Sequence, residues 1–159
     1  MPELARGQLT RALVDRRHYG VLATLSKQKP GYPFASMTLY AADAQGRPVF
    51  LFTTLANHTE NLEADPRACL MVLDQDAEAA PQETARAHIT GQVRPVPEDE
   101  IESARSVYLS RHPAAAQWVD FGDFAFYRLE VEEVYWVGGF ANAGSALVSD
   151  YRAGSTARQ

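Results

Sequence analysis

The spacing of apolar residues changes character along this chain, and each change marks an element. Residues 3–18 put Leu4, Leu9, Ala12 and Leu13 near one helical face and Arg6, Arg11, Arg16 and Arg17 mostly elsewhere, with Gly20 as the expected stop. The spacing then shortens to that of strands. Residues 21–25 form a short apolar strand, and residues 26–32 a polar loop that carries the only lysines, Lys27 and Lys29, before the turn signal Pro30-Gly31. Residues 33–40 alternate Phe34, Ser36, Thr38 and Tyr40 against Ala35, Met37 and Leu39. Asp43 and Gly46 mark a hairpin loop over residues 41–48, and residues 49–53 return as a third strand.

Residues 67–73 are apolar at nearly every position, the pattern of a strand covered on both faces. An acidic loop with Pro81 follows. Residues 84–96 then alternate strictly, with Arg86, His88, Thr90, Gln92 and Arg94 on one side and Ala85, Ala87, Ile89, Gly91 and Val93 on the other. Such a polar row is most simply a solvated face; the sharper reading is a row lining a groove or a subunit interface. Pro97 opens a second helix with acids in its first turn and Ile101, Ala104 and Tyr108 facing inward. His112-Pro113 begins a short helical piece that runs to about Trp118. Residues 124–131 read as a strand, Glu132-Glu133 interrupts the alternation as a turn or bulge would, and residues 134–137 are the last strand, followed by Gly138-Gly139-Phe140. About seven strands with few helices make an α+β chain, an antiparallel barrel rather than an open sheet. A single domain is expected over residues 1–152, with residues 153–159 a frayed, disordered tail.

The junction at residues 51–62 stands out. An apolar strand breaks at Thr53-Thr54 and enters a short helix that Pro66 ends. Asn57 is the candidate N-cap, with Glu60 closing a capping box. The first backbone N–H groups of that helix, from His58, Thr59 and Glu60, suit a phosphate, unless Asn57 and Glu60 satisfy them; the two readings carry even weight.

Composition narrows the chemistry. The chain has 159 residues, 46% hydrophobic and 22% charged, with a net charge of −5, which argues against a general nucleic-acid binder. No apolar run is long enough for a membrane span and the first residues hold no signal core, so a cytoplasmic protein is expected. The lone Cys69, in an apolar run, reads as core packing. His18, His58, His88 and His112 are dispersed, without metal-ligand spacing, and no G-x-S-x-G elbow, P-loop or G-x-G-x-x-G is present. A core, an anion-suited corner and few catalytic side chains point to a bound cofactor that carries the reaction.

The succession Ala23-Thr-Leu-Ser26, Gly31-Tyr-Pro-Phe-Ala-Ser-Met37, Asp43 through Gly46-Arg-Pro48, Phe52-Thr-Thr-Leu-Ala-Asn-His-Thr-Glu-Asn-Leu62, Asp65-Pro-Arg-Ala-Cys-Leu-Met-Val72 and Ala87-His-Ile-Thr-Gly91 resembles the FMN-binding split-barrel superfamily that includes pyridoxamine 5′-phosphate oxidase. Its nearest likeness is to the haem-utilisation-like branch, whose chains also end in a strand followed by Gly-Gly-Phe. The resemblance implies a six- to seven-stranded split β-barrel with flanking helices, a homodimer, and FMN in grooves at the dimer interface. It places Ala35, Ser36, Met37 and Thr38 beside the isoalloxazine ring, and Phe52, Thr53 and Thr54 beneath the ring and ribityl chain. It makes His58 and Thr59 the phosphate pair, brings Arg86 to the flavin, and sets Trp136 and Phe140 near the ring. The oxidase has Arg-Lys where this chain has His58-Thr59, so FMN would rest on helix N–H donors and on the charge of His58. The oxidase's C-terminal Arg and His have no counterpart after Val137, and the haem-degrading relatives' histidine near Gly-Gly-Phe is replaced by Ala141-Asn-Ala-Gly144. The expectation is a flavin-dependent oxidoreductase acting on a small-molecule substrate. Its rivals are a haem-binding protein on the same fold, with His58 or His88 as the residue to test, and a non-catalytic dimeric scaffold.

Overall fold

The alternating segments become one antiparallel sheet in a computed structural model that describes residues 2–139 and 141–154. Its strands are β1 (Tyr19–Leu25), β2 (Pro33–Leu39), β3 (Ala41–Ala42), β4 (Pro48–Thr53), β5 (Arg67–Leu73), β6 (Arg86–Pro95), β7 (Phe124–Val137) and β8 (Ala143–Ala146). They run in the order β2-β1-β5-β6-β7-β4-β3, with β8 added to the far end of β7. The helices are α1 (Glu3–Arg16), α2 (Asn57–Ala64), α3 (Ile101–Arg111) and α4 (Val148–Ala153). The sheet curls into a half-barrel, so the fold is α+β as the pattern implies.

Alternation decides which side chains enter the barrel. Leu22, Leu70, Val72, Ala87, Ile89 and Leu129 are fully enclosed there with Leu13, Val14 and Tyr40. Burying a large apolar side chain of this kind contributes roughly 1.5–3 kcal/mol. The interrupted strand at Glu132-Glu133 is a bulge within a single β7: Val131 pairs with Gly91 and Glu133 with Thr90, leaving Glu132 without a partner. Gly91 makes that bulge possible, because a Cβ on it would lie 1.9 Å from the Glu130 carbonyl oxygen.

Four expectations change. The first helix ends at Arg16, since Arg17 is already extended (φ −88°, ψ 161°); Gly20 lies inside β1, where a Cβ would meet the Met71 carbonyl oxygen at 2.7 Å. The strand buried on both faces is β4, not β5: β4 lies between the barrel core and a second cluster built on α3 around Ala104, Tyr108, Val119 and Phe126. The outer positions of β5 are only half-buried, because no helix crosses them among the described residues. Finally, β8 and α4 add to the expected elements, and Ala153 closes α4 instead of starting a tail. Tyr151 is fully buried and its hydroxyl donates to the Gly46 carbonyl, so α4 is fixed to the β3–β4 hairpin. Residues 155–159, and Phe140, lie outside the described residues.

Candidate functional site

Because the sheet is not closed, its ends leave a cleft between β2 and β4. Met37, Thr38 and Leu39 line it from β2; Leu51, Phe52 and Thr53 line it from β4; His58 comes from α2; and Tyr108, Trp118 and Phe124 form its floor on the α3 side. Its volume is about 210 Å3, below the ~300–1,000 Å3 usual for small-molecule sites. The lining is largely apolar and aromatic, yet two buried polar atoms in it have no hydrogen-bond partner: Thr38 Oγ1 and His58 Nε2. The His58 ring stands edge-on to Phe52, with centroids 4.4 Å apart. Burial holds its pKa below the usual 6.5, so the neutral imidazole, with a free lone pair, is the form favoured near neutral pH.

The corner that leads into α2 is closed by its own hydrogen bonds. Ala56, extended at φ −85° and ψ 141°, is the N-cap, and no side chain caps the helix; the Asn57–Glu60 capping box does not form. Thr53 ties the corner together instead. Its carbonyl accepts from the Thr59 hydroxyl at 2.7 Å and from the Ala56 N–H at 3.3 Å. Its own hydroxyl donates to Asp123 Oδ2 at 2.8 Å and accepts from the Leu55 N–H at 3.2 Å. The Thr54 N–H donates to the Asp123 carbonyl, and the Thr59 and Glu60 N–H groups both donate to the Ala56 carbonyl. Among the described residues, that leaves the Asn57 and His58 N–H groups as the corner's free backbone donors. Asn61 fixes the helix to the sheet, donating to Thr24 Oγ1 at 3.0 Å and accepting from the Lys27 N–H at 2.8 Å.

The residues singled out in the sequence are therefore partly gathered. Met37, Thr53 and His58 line the cleft. Ser36 points into the barrel with its hydroxyl unpartnered, Thr54 is exposed at the corner, and Thr59 is fully buried behind it. Arg86 opens β6 on the outer face of the sheet, paired with Leu73 and Val137. Trp136 is one register step away on the opposite face, 5% exposed and packed in the core with its indole nitrogen against Gly138. Alternation thus separates Arg86 from Trp136, and neither lines the cleft of this chain. Pattern reading missed Tyr108, Trp118 and Phe124, which reach the cleft only through tertiary folding, and Asp123, which holds the Thr53-Thr54 corner beside it; Gly122-Asp123 alone carries no signal for that contact.

A family model described as "CREG, beta-barrel" matches residues 2–153, nearly the whole described chain. The chain belongs to the CREG beta-barrel family. It is 40% identical over 126 residues to the chloroplastic non-canonical heme oxygenase HOZ of Arabidopsis thaliana, covering 78% of this chain and 37% of HOZ. A solved heme binding protein of Mycobacterium smegmatis superposes with a TM-score of 0.86 at 32% identity, over 98% of this chain and 62% of that one. The chain thus spans well under two thirds of the HOZ sequence. A Clostridium acetobutylicum protein of the pyridoxinephosphate oxidase family, 12% identical with a TM-score of 0.71 over 94% of this chain and 99% of that one, shares the fold. This CREG-family chain therefore has the split-barrel fold of the pyridoxamine-phosphate-oxidase-like proteins. Among its described residues no helix is long and apolar enough to cross a membrane.

Proposed function

We propose that this chain binds haem in the β2–β4 cleft, with His58 as the residue that holds the iron. The observation that carries the reading is the buried, unpartnered Nε2 of His58 inside an apolar, aromatic slot. A buried ring nitrogen without a hydrogen-bond partner costs free energy unless a ligand uses it. Haem, when bound, supplies the redox-active iron. The chain's part is to hold it through His58, to exclude water with Phe52, Trp118 and Phe124, and to offer the Thr38 hydroxyl as the polar side chain beside it. The likeness to HOZ and to the mycobacterial heme binding protein supports this ligand.

The cleft is too small to enclose a porphyrin alone, so the proposal includes a homodimer whose second copy supplies the missing wall. The cleft rim, Met37 at 76% exposure and Leu39 at 46%, continues into the outer face of β1 and β5, with Tyr19 and Leu25 exposed beside the half-buried Val21 and Met71, as far as the polar outer row of β6. A chain that makes β5 apolar on both sides but covers one is built for a partner on the other.

A second reading, an FMN-dependent oxidoreductase, is favoured by the free Asn57 and His58 N–H groups at the start of α2. In it His58 and Thr59 would face the phosphate, Thr53 and Thr54 would lie beneath the ring and ribityl chain, Ser36 and Met37 beside the ring, and Arg86 and Trp136 would approach from the interface. Against it, the Thr53 and Thr59 hydroxyl protons are already donated, and Asp123 sets a carboxylate beside the strand end. Titrating the purified protein with haemin and following the Soret band tests the leading reading. Saturation near one haem per chain, with the band lost or shifted in His58→Ala and kept in His88→Ala, is the expected result. Sensitivity to His88 alone would move the ligand to the outer face, and no band in the wild type would end the haem reading.

A further inference from the structure

The excursion between β6 and β7 is built apart from the barrel. α3 and the short 3-10 helix Pro113–Gln117 bring Ala104, Tyr108, Ala115 and, just after them, Val119 against Ala41, Val49, Leu51 and Phe126 on the outside of the sheet. Strand alternation separates the two layers: Phe50 and Phe52 point into the barrel core, Val49 and Leu51 into this second cluster. Among the described residues, none of 97–121 belongs to the barrel core. Within the excursion Arg105 pairs with Asp120 at 2.8 Å, and the Ala115 N–H donates to the His112 carbonyl at 3.0 Å, so its two helices hold together as one body. Among the described residues, three side-chain bonds tie that body to the rest of the chain: Glu100 to Arg128, Arg111 to the Arg16 carbonyl, and His112 Nε2 to the Tyr40 carbonyl at 2.8 Å.

The same body is one wall of the cleft. Tyr108 and Trp118 close its α3 side, and inside lie His58 Nε2 and Thr38 Oγ1, both buried without a partner. A ligand that uses either atom has to pass a wall to reach it. The other walls are fixed. β2 is paired with β1 along its whole length, β4 lies between β3 and β7, and α2 is tied to β1 by the bond from Asn61 to Thr24. The α3 side can move without breaking the sheet, and its ends suit a hinge. The Val96 N–H still donates to the Phe126 carbonyl at 2.9 Å, and Pro97 then leaves the sheet extended, at φ −54° and ψ 146°. At the other end Asp123 is fastened to Thr53 and Thr54, while Gly122 stands in open space, where a Cβ would meet nothing within 4 Å.

We propose that residues 97–121 are a hinged cover that opens as a unit while the barrel stays folded, and that this opening admits the ligand to the cleft. Proteins open in cooperative units, each as stable as the contacts it alone makes. For the cover those contacts are the second cluster and three side-chain bonds, whereas β5 and β6 are laddered on both sides around the barrel core. The cover rests on the cleft as the binding site and on no particular ligand, so it stands or falls separately from the haem reading.

Hydrogen exchange of the whole protein, read by mass spectrometry, tests it with one variant on each side of β4. Val119→Ala trims the second cluster and Val72→Ala the barrel core. In the wild type the amides of α3 should be at least tenfold less protected than those of β5 and β6. Val119→Ala should lower the α3 protection at least fivefold further and leave β5 and β6 unchanged; Val72→Ala should lower β5 and β6 and leave α3 unchanged. Carbethoxylation of His58 by diethyl pyrocarbonate, followed on its own peptide, should quicken in Val119→Ala by the same factor as α3 exchange. Equal protection of α3 and of β5 and β6 in the wild type, or a common shift of both in either variant, would overturn the cover. Faster α3 exchange with no change at His58 would overturn its role at the cleft. A protein that opens in this way and yet binds no haemin would keep the cover and end the haem reading alone.

Discussion

Single residues decide how the corner and the sheet are built. Gly91 has the tightest surroundings of the described glycines, and a Cβ there would lie 1.9 Å from the Glu130 carbonyl oxygen. Gly91→Ala should lower stability well beyond the ~1 kcal/mol typical of point substitutions, read as a drop in the urea midpoint; an unchanged midpoint would mean that the bulge is not rigid. Thr59→Val removes the hydroxyl that donates to Thr53, while Ala56 N–H still does. A loss of about 1 kcal/mol is expected, and a neutral effect would show that the corner is held by its backbone alone. The sequence marks this corner as special but assigns its bonds to Asn57 and Glu60. A local pattern cannot show that Asp123, 70 positions from Thr53, completes the network.

Elements are more legible than residues. The alternation of β6 and the helical spacing before β1 are local properties, and both are found with small shifts of boundary. The four-residue β8 and six-residue α4 are too short for a periodic signal and depend on Tyr151 and β7 for their stability. Apolar runs are readable, but which element covers them is not: β4 is covered by α3, whereas the outer row of β5 is left half-exposed. That open face is where the dimer proposal is tested. Met37→Lys, at a side chain 76% exposed in the single chain, should weaken self-association at least tenfold in sedimentation while leaving the monomer's unfolding temperature almost unchanged. A wild type that is monomeric at micromolar concentrations would contradict the proposal.

At the level of the whole molecule, folding weakens the proton affinity of several histidines. Burial lowers the pKa values of His18, His58 and His88 from 6.5, helped at His18 by Arg111, His112 and Arg17 and at His88 by Arg86. The unfolded chain therefore binds more protons than the folded one in the window below 6.5. Stability from these groups is complete above that value and is lost as pH falls through the folded-state values. Urea midpoints should fall between about pH 7.5 and pH 5.5, with a smaller fall in His58→Phe; identical slopes would remove His58 from the account. The family and the barrel can be inferred from the order of motifs, whereas the ligand cannot, because the cleft is assembled from β2, β4, α2 and the α3 side together. The most direct test of the central claim is to give the purified protein haemin and FMN in equal amounts, remove what is unbound by gel filtration, and record the visible spectrum. A retained Soret band without flavin bands is the predicted result. Retained flavin and no Soret band would contradict the account and restore the FMN reading.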